Sequence, residues 1–141
     1  MNTDLMFSKK SDEWETPQAL FDLLDKEFHF ELDAAATPQN TKCESFFVLP
    51  ECNALIINWH ELDELVYWLN PPYSNVSEFI KKAYEESLND LIVVCLVPSR
   101  TDTKWWHEYV MKAKEIRFIK GRLKFGDSKN SAPFPSCVVI F

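Results

Sequence analysis

Asn70, Pro71, Pro72 and Tyr73 are the residues of this chain whose types and spacing could do chemistry. Val66 to Leu69, just ahead of them, are four apolar or aromatic residues in a row and read as a short buried strand. Neither proline carries a backbone N–H, so sheet pairing stops there. Pro71 also drives Asn70 away from helical dihedrals, towards the extended region. A strand therefore ends in an amide side chain, a fixed carbonyl and an aromatic ring, all on a stiff turn. An amide oxygen beside a backbone carbonyl gives two acceptors aimed at one point, which suits a planar amino group with two N–H bonds to donate. Accepting both bonds concentrates electron density on that nitrogen, so its lone pair can attack an electrophile. The Tyr73 ring can stack a flat heterocycle, an interaction worth ~1–3 kcal/mol per base. The target is then an exocyclic amine on a base or an amide nitrogen. The same four residues also fit a proline-stiffened turn whose Asn bonds its own backbone. The rest of the chain decides between the two.

Composition narrows the choice. A chain of 141 residues, 46% of them hydrophobic, has room for one domain with one core. The only glycines are Gly121 and Gly126, which excludes a P-loop and a Gly-x-Gly-x-x-Gly dinucleotide fingerprint. A net charge of −7 argues against a broad, non-specific nucleic-acid coat. The bases are nevertheless uneven: Lys112, Lys114, Arg117, Lys120, Arg122, Lys124 and Lys129 face only Glu115 and Asp127 within that span. Such a run is most often a solvated face. Cys43, Cys52, Cys95 and Cys137 contain no C-x-x-C pair, and Cys43 and Cys52 with His60 match no zinc framework, so no metal is expected. With no signal peptide and no apolar run long enough to span a bilayer, the expected compartment is the reduced cytoplasm.

Several elements must position the turn. Met1 to Lys10 are polar and aperiodic and read as a loose arm ahead of a domain over 11–141. Thr16-Pro17 reads as a helix start, with Thr16 as N-cap and Pro17 as first helical residue. Leu20, Phe21, Leu23, Leu24 and Phe28 then form an apolar face, with Trp14 ahead of it as a hydrophobic anchor or as part of a ligand pocket. Phe30 to Ala34 reads as a strand whose end presents Asp33, followed by the small Ala35 and Ala36. Phe46–Leu49 and Asn53–Ile57 read as two short strands. Ser74 to Asn89 has helical spacing at Val76, Phe79, Ile80, Ala83, Tyr84 and Leu88. Leu91 to Val97 is the most apolar run and reads as a central strand buried on both faces. A polar loop through Arg100 leads to a helix with Trp105, Trp106, Tyr109 and Val110. Ile116–Ile119, Leu123–Phe125 and Cys137–Phe141 read as further strands, with a long loop over Asp127–Ser136. This alternation predicts an α/β fold with a mainly parallel sheet and an antiparallel C-terminal hairpin.

Asn70-Pro71-Pro72-Tyr73 at a strand end resembles the signature of amino methyltransferases that use S-adenosylmethionine. Further stretches are similar to the phage-type (Dam-like) DNA N6-adenine methyltransferases. They are Asp12-Glu-Trp-Glu-Thr-Pro17, Leu32-Asp33 with Ala36-Thr37-Pro38, Arg100-Thr-Asp-Thr-Lys-Trp105, Arg117 to Gly126, and Asn130 to Ser136. The resemblance runs from about Ser11 to the C-terminus and implies a single-domain, Rossmann-like methyltransferase fold with no separate target-recognition domain. It implies that Asn70 and the Pro71 carbonyl hold the N6 amino group of an adenine flipped out of duplex DNA, that Pro72 stiffens the turn and that Tyr73 stacks on the base. N6 then attacks the methyl group directly, without a metal or a covalent enzyme intermediate. Asp33 resembles the acid beside the methionine portion of the cofactor, with Ala34 following it. Trp14, Thr16 and Pro17 match an N-terminal cofactor segment. Asn58 stands where such enzymes often place an acid facing the cofactor's adenine ring, and in this chain the charge is gone. Two departures stand out: Ala34-Ala35-Ala36 replaces a glycine-rich first loop, and the chain is short. Arg100, Arg122, Lys124 and Lys129 are the candidate contacts to double-stranded DNA, the last three together with the loop Gly126 to Ser136, which also reads as a solvated hairpin closure. Methylation of cytosine N4, RNA or a protein glutamine is the same-chemistry alternative; a catalytically degenerate nucleic-acid-binding module is the other. A monomer or a homodimer in a bacterial or phage-infected cell fits either.

Overall fold

The computed structural model describes residues 14–48, 54–126 and 129–141. The arm expected over Met1–Lys10 lies outside them, as do Leu49 to Asn53 and with them Cys52. The strands are β1 (Leu32–Ala36), β2 (Ser45–Val48), β3 (Val66–Leu69), β4 (Ile92–Pro98), β5 (Glu115–Phe118) and β6 (Ser136–Ile140). They form one sheet in the order β2-β1-β3-β4-β6-β5. β2, β1, β3 and β4 are mutually parallel, and β6 runs antiparallel to both β4 and β5. The mixed α/β architecture and the antiparallel C-terminal pair therefore match the sequence pattern.

Alternation along the inner strands builds two cores. Tyr67, Leu69, Val93, Cys95, Val97 and Val139 point to one face, where they meet helix α2 (Val76–Ser87) through Phe79, Ile80 and Ala83. Trp68, Val94, Leu96 and Val138 point to the other, where helix α1 (Gln18–Phe28) contributes Phe21 and Leu24. Burial on both faces is why β4 reads as a continuous apolar run rather than an alternating one. The short helix α3 (Lys104–Glu108) carries Trp105 and Trp106 into the first core. Its N-cap Thr103 accepts from the Trp106 N–H.

Several sequence expectations are corrected. Ala54 to Ile57 form turns, not a strand: Ile56 is 76% exposed, and the Ala54 carbonyl accepts the Trp59 indole N–H at 2.9 Å instead of a ladder bond. Leu123 to Phe125 are also not a strand. Gly121, at φ 77°, ends the extended run, and the Leu123 carbonyl is taken by the Ala132 N–H at 2.7 Å. Leu23 and Leu88, placed on apolar helix faces by spacing, are 66% and 67% exposed. Thr16 does not cap α1; Pro17 holds that position, and its carbonyl accepts the Phe21 N–H at 3.1 Å. β1 also extends to Ala36, so Asp33 lies inside the strand and not at its end. Among the described residues, no helix is long and apolar enough to cross a membrane and no cluster of ligating side chains could hold a metal.

Candidate active site

From β1 the chain leaves outward to β2 and returns to β3 on β1's other side. Connections diverge at such a reversal and leave a crevice beyond the carboxyl ends of the two strands, where α/β sheets place ligands. Asn70 to Tyr73 emerge from β3 at this crevice, and Asp33, the register partner of Trp68, lies beneath it in β1. The segment from Trp14 to Pro17 crosses the same edge before entering α1.

The Asn70 amide nitrogen donates to the Trp14 carbonyl in a short hydrogen bond and to the Thr16 hydroxyl at 3.0 Å. Its oxygen is buried and has no partner among the described residues. Pro71 is buried, and the Pro72 carbonyl accepts the Asn75 N–H at 2.9 Å, opening the 3-10 turn Tyr73–Asn75 that leads into α2. The Tyr73 ring lies 6.4 Å from Trp14 at an interplanar angle of 20° and meets Phe134 edge-on at 5.3 Å. Phe125 and Phe134 each meet Trp14 edge-on at 5.3 Å, completing an aromatic wall. Burial pushes the Tyr73 phenol far above its ordinary pKa, so it stays neutral.

Asp33 is 3% exposed, and its carboxylate accepts the Ala35 N–H at 3.2 Å and the Lys42 N–H at 3.0 Å. Burial pushes its pKa up to about 6, against the lowering effect of those two bonds. Lys42 also reaches the N-terminal segment: its ammonium donates to the Gln18 side chain at 2.9 Å and sits 3.6 Å from Glu15. That segment is held from the opposite side by the Gly126 N–H, which donates to the Glu15 carbonyl at 2.9 Å.

The structure thus brings together Trp14, Thr16, Asn70, Pro71, Pro72 and Tyr73, with Pro17 half-buried beside them and Asp33 below. Ala34 is fully buried in the core behind Asp33. Asn58 is not brought to this edge. Its side chain donates to Glu61 at 3.4 Å, and the next residue, Trp59, is held by Glu86 near the C-terminal end of α2. Arg100 places its guanidinium 6.0 Å from the centre of the Phe134 ring, at the rim of the aromatic wall. Arg122, Lys124 and Lys129 are exposed, on the loop whose Phe125 and Phe134 build that wall.

Two residues missed in the sequence belong to this edge. The hydroxyls of Ser99, just after β4 and beside the Cys137 thiol, and of Ser136, at the start of β6, are buried and make no hydrogen bond to nitrogen or oxygen among the described residues. With Asn70 Oδ1 and the Tyr73 hydroxyl they are the unpartnered buried side-chain atoms of the described residues, and all four lie at the carboxyl edge of β3 and β4. Buried polar atoms are almost always paired, so this concentration sets the edge apart from the rest of the described core. Ser99 follows a parallel strand as Asn70 does, and that placement was the available signal.

A family model described as "DNA N-6-adenine-methyltransferase (Dam)" matches residues 4–139. A DNA N-6-adenine-methyltransferase of Haemophilus phage HP1 (strain HP1c1) is 35% identical over 145 residues, covering 95% of this chain and 82% of the relative. Another, of Escherichia phage T1, is 35% identical over 113 residues, covering 79% of this chain and 46% of that longer protein.

Proposed function

The chain belongs to the DNA N-6-adenine-methyltransferase (Dam) family, and on that premise we propose that the Asn70–Tyr73 turn is the acceptor site for the N6 amino group of adenine in DNA. The chain is an adenine-specific DNA methyltransferase, and its family implies S-adenosylmethionine as the methyl donor. The observation that carries the site assignment is Asn70 Oδ1, a buried acceptor left open while both amide hydrogens are engaged.

Asn70 Oδ1 accepts one N6 hydrogen and the Pro71 carbonyl the other, turning the nitrogen lone pair away from the ring and towards the methyl donor. In a paired adenine one N6 hydrogen is held by thymine and the stacked neighbours cover the directions of the nitrogen lone pair, so the base leaves the duplex first, and Tyr73 with the Trp14 wall receives its face. No group in this turn serves as a base: an amide and a carbonyl do not protonate near neutral pH, and burial keeps the Tyr73 phenol neutral. Catalysis is therefore orientation and charge placement, and the surplus proton leaves N6 after the new bond forms.

Asp33 fits a cationic ligand group. It is buried, its charge is poorly compensated, and its two bonds from backbone N–H groups leave acceptor capacity on both oxygens. Bound S-adenosylmethionine supplies an electrophilic methyl carbon on a sulfonium together with an ammonium that such a carboxylate can hold. The strand order with its reversal between β1 and β3 supports reading the sheet as the Rossmann-like arrangement. Arg100, at the rim, and exposed Arg122, Lys124 and Lys129 on the neighbouring loop are the side chains this reading assigns to the phosphates of the duplex.

Incubation with radiolabelled S-adenosylmethionine and, separately, adenine-containing duplex, RNA and a protein extract tests the assignment. Label is expected on N6-methyladenine in the duplex alone. Transfer that persists at near wild-type rate in Asn70→Ala would show that Asn70 does not hold the N6 amino group.

A further inference from the structure

Asn70 is gripped at one end only, and the chemistry of the grip fixes which end. A backbone carbonyl oxygen can accept but never donate, so the Asn70 atom facing the Trp14 carbonyl has to be the nitrogen. The Thr16 hydroxyl, 3.0 Å away, accepts the second amide hydrogen. Neither partner is free to drift. The Trp14 ring is wedged against Tyr73, Phe125 and Phe134, and the next carbonyl along, that of Glu15, is tied to the Gly126 N–H. Thr16 is 4% exposed and has no capping duty, since Pro17 caps α1.

We propose that Thr16 holds the Asn70 amide in the flip that the Trp14 carbonyl selects, so that Oδ1 faces the acceptor base. Thr16 is then a positioning residue that acts through Asn70 without touching substrate, and this rests on the reading of Asn70 Oδ1 as the N6 acceptor. With the amide reversed, its oxygen would oppose the Trp14 carbonyl, which has no proton to offer, and its N–H bonds would confront those of the incoming amine. The same grip makes position 70 selective for an amide over a carboxylate, because Asp would set a charged oxygen against the Trp14 carbonyl.

Thr16→Val removes the hydroxyl at constant shape, and Thr16→Ser retains it. In Thr16→Val, kcat is expected to fall about tenfold, with KM for the duplex and the S-adenosylmethionine dissociation constant within about twofold of wild type. Thr16→Ser is expected to restore kcat to within about threefold on the same scale. A second readout needs no turnover: the side-chain NH2 signal of Asn70 in the nitrogen-15 spectrum, identified by its loss in Asn70→Ala. In the wild type and in Thr16→Ser its protons should exchange more slowly than those of exposed Asn75, and in Thr16→Val that protection should drop. Wild-type kcat in Thr16→Val overturns the proposal. So does an Asn70 amide in the wild type that exchanges as fast as that of Asn75, a measurement that stands even if Thr16→Val does not fold. Weakened cofactor binding in Thr16→Val with an unchanged Asn70 signal also overturns it and assigns Thr16 to the cofactor. A wild type inactive on duplex adenine sinks the functional reading instead, while the exchange data still judge the grip.

Discussion

Asn70 Oδ1 and the Asp33 carboxylate are both buried with bonding capacity to spare, one as a neutral acceptor and the other as a charge. Asn70→Ala is expected to cut methyl transfer by about 10²-fold or more while calorimetry finds S-adenosylmethionine binding intact. Asp33 carries a pH signature. Its carboxyl ionises at about 6 in the folded protein against an ordinary 3.8, chiefly because it is buried. The folded state therefore holds this proton more tightly than the unfolded state does. Its contribution to stability is largest below pH 3.8 and is lost as pH rises through about 6. Cofactor affinity runs the other way, since a cation needs the ionised carboxylate, and should climb through about pH 6 and then level off. Melting temperature and calorimetric affinity measured across that window should both flatten in Asp33→Asn. Asn70 was legible in the sequence because two prolines fix the backbone around it. Thr16 was misread because Thr-Pro before an apolar face has one local pattern whether the hydroxyl caps the helix or turns to a residue 54 positions away.

Among the elements, β3 and β4 were legible because strands buried on both faces must be continuously apolar. The connection from β2 to β3 was not, because side chains hold it where a ladder was expected. Glu86, near the end of α2, accepts the Trp59 N–H at 3.0 Å, the His60 N–H at 3.2 Å and the His60 ring at 2.8 Å, and pairs with Lys82 at 2.8 Å. Burial pushes its pKa up, but Lys82, His60 and the Trp59 N–H together outweigh that and hold it below the ordinary 4.5. Its stabilisation is thus present at neutral pH and lost as the medium falls through that lowered pKa. Glu86→Ala is expected to cost about 3 kcal/mol, read from urea unfolding, because it strands buried donors and an ammonium. No periodicity announces such a clamp, since Glu86 lies 27 residues from Trp59.

For the molecule as a whole, the basic run that stood out in the sequence divides in two. Arg117 is engaged with Glu27, at 2.7 and 2.6 Å, and with Glu115. Arg122 and Lys124 stand exposed beside the aromatic wall. Arg122→Ala and Lys124→Ala should each flatten the log–log dependence of DNA affinity on salt by about 0.9, measured by fluorescence anisotropy, while Arg117→Ala leaves the slope alone. Counting charges along the chain did not separate these groups, because pairing is a property of the folded surface. The sheet order also governs how the protein is made. β6 follows the other five strands of the sheet in sequence, yet it lies between β4 and β5, with all five of its residues buried. On the ribosome, β4 must therefore wait, one edge unpaired and both faces apolar, until Ser136–Ile140 emerge. A pause or premature stop in that interval leaves the kind of bare strand edge that seeks another chain. Rapid translation through the last stretch, or a chaperone over the open edge, thus bears directly on how much active enzyme a cell obtains.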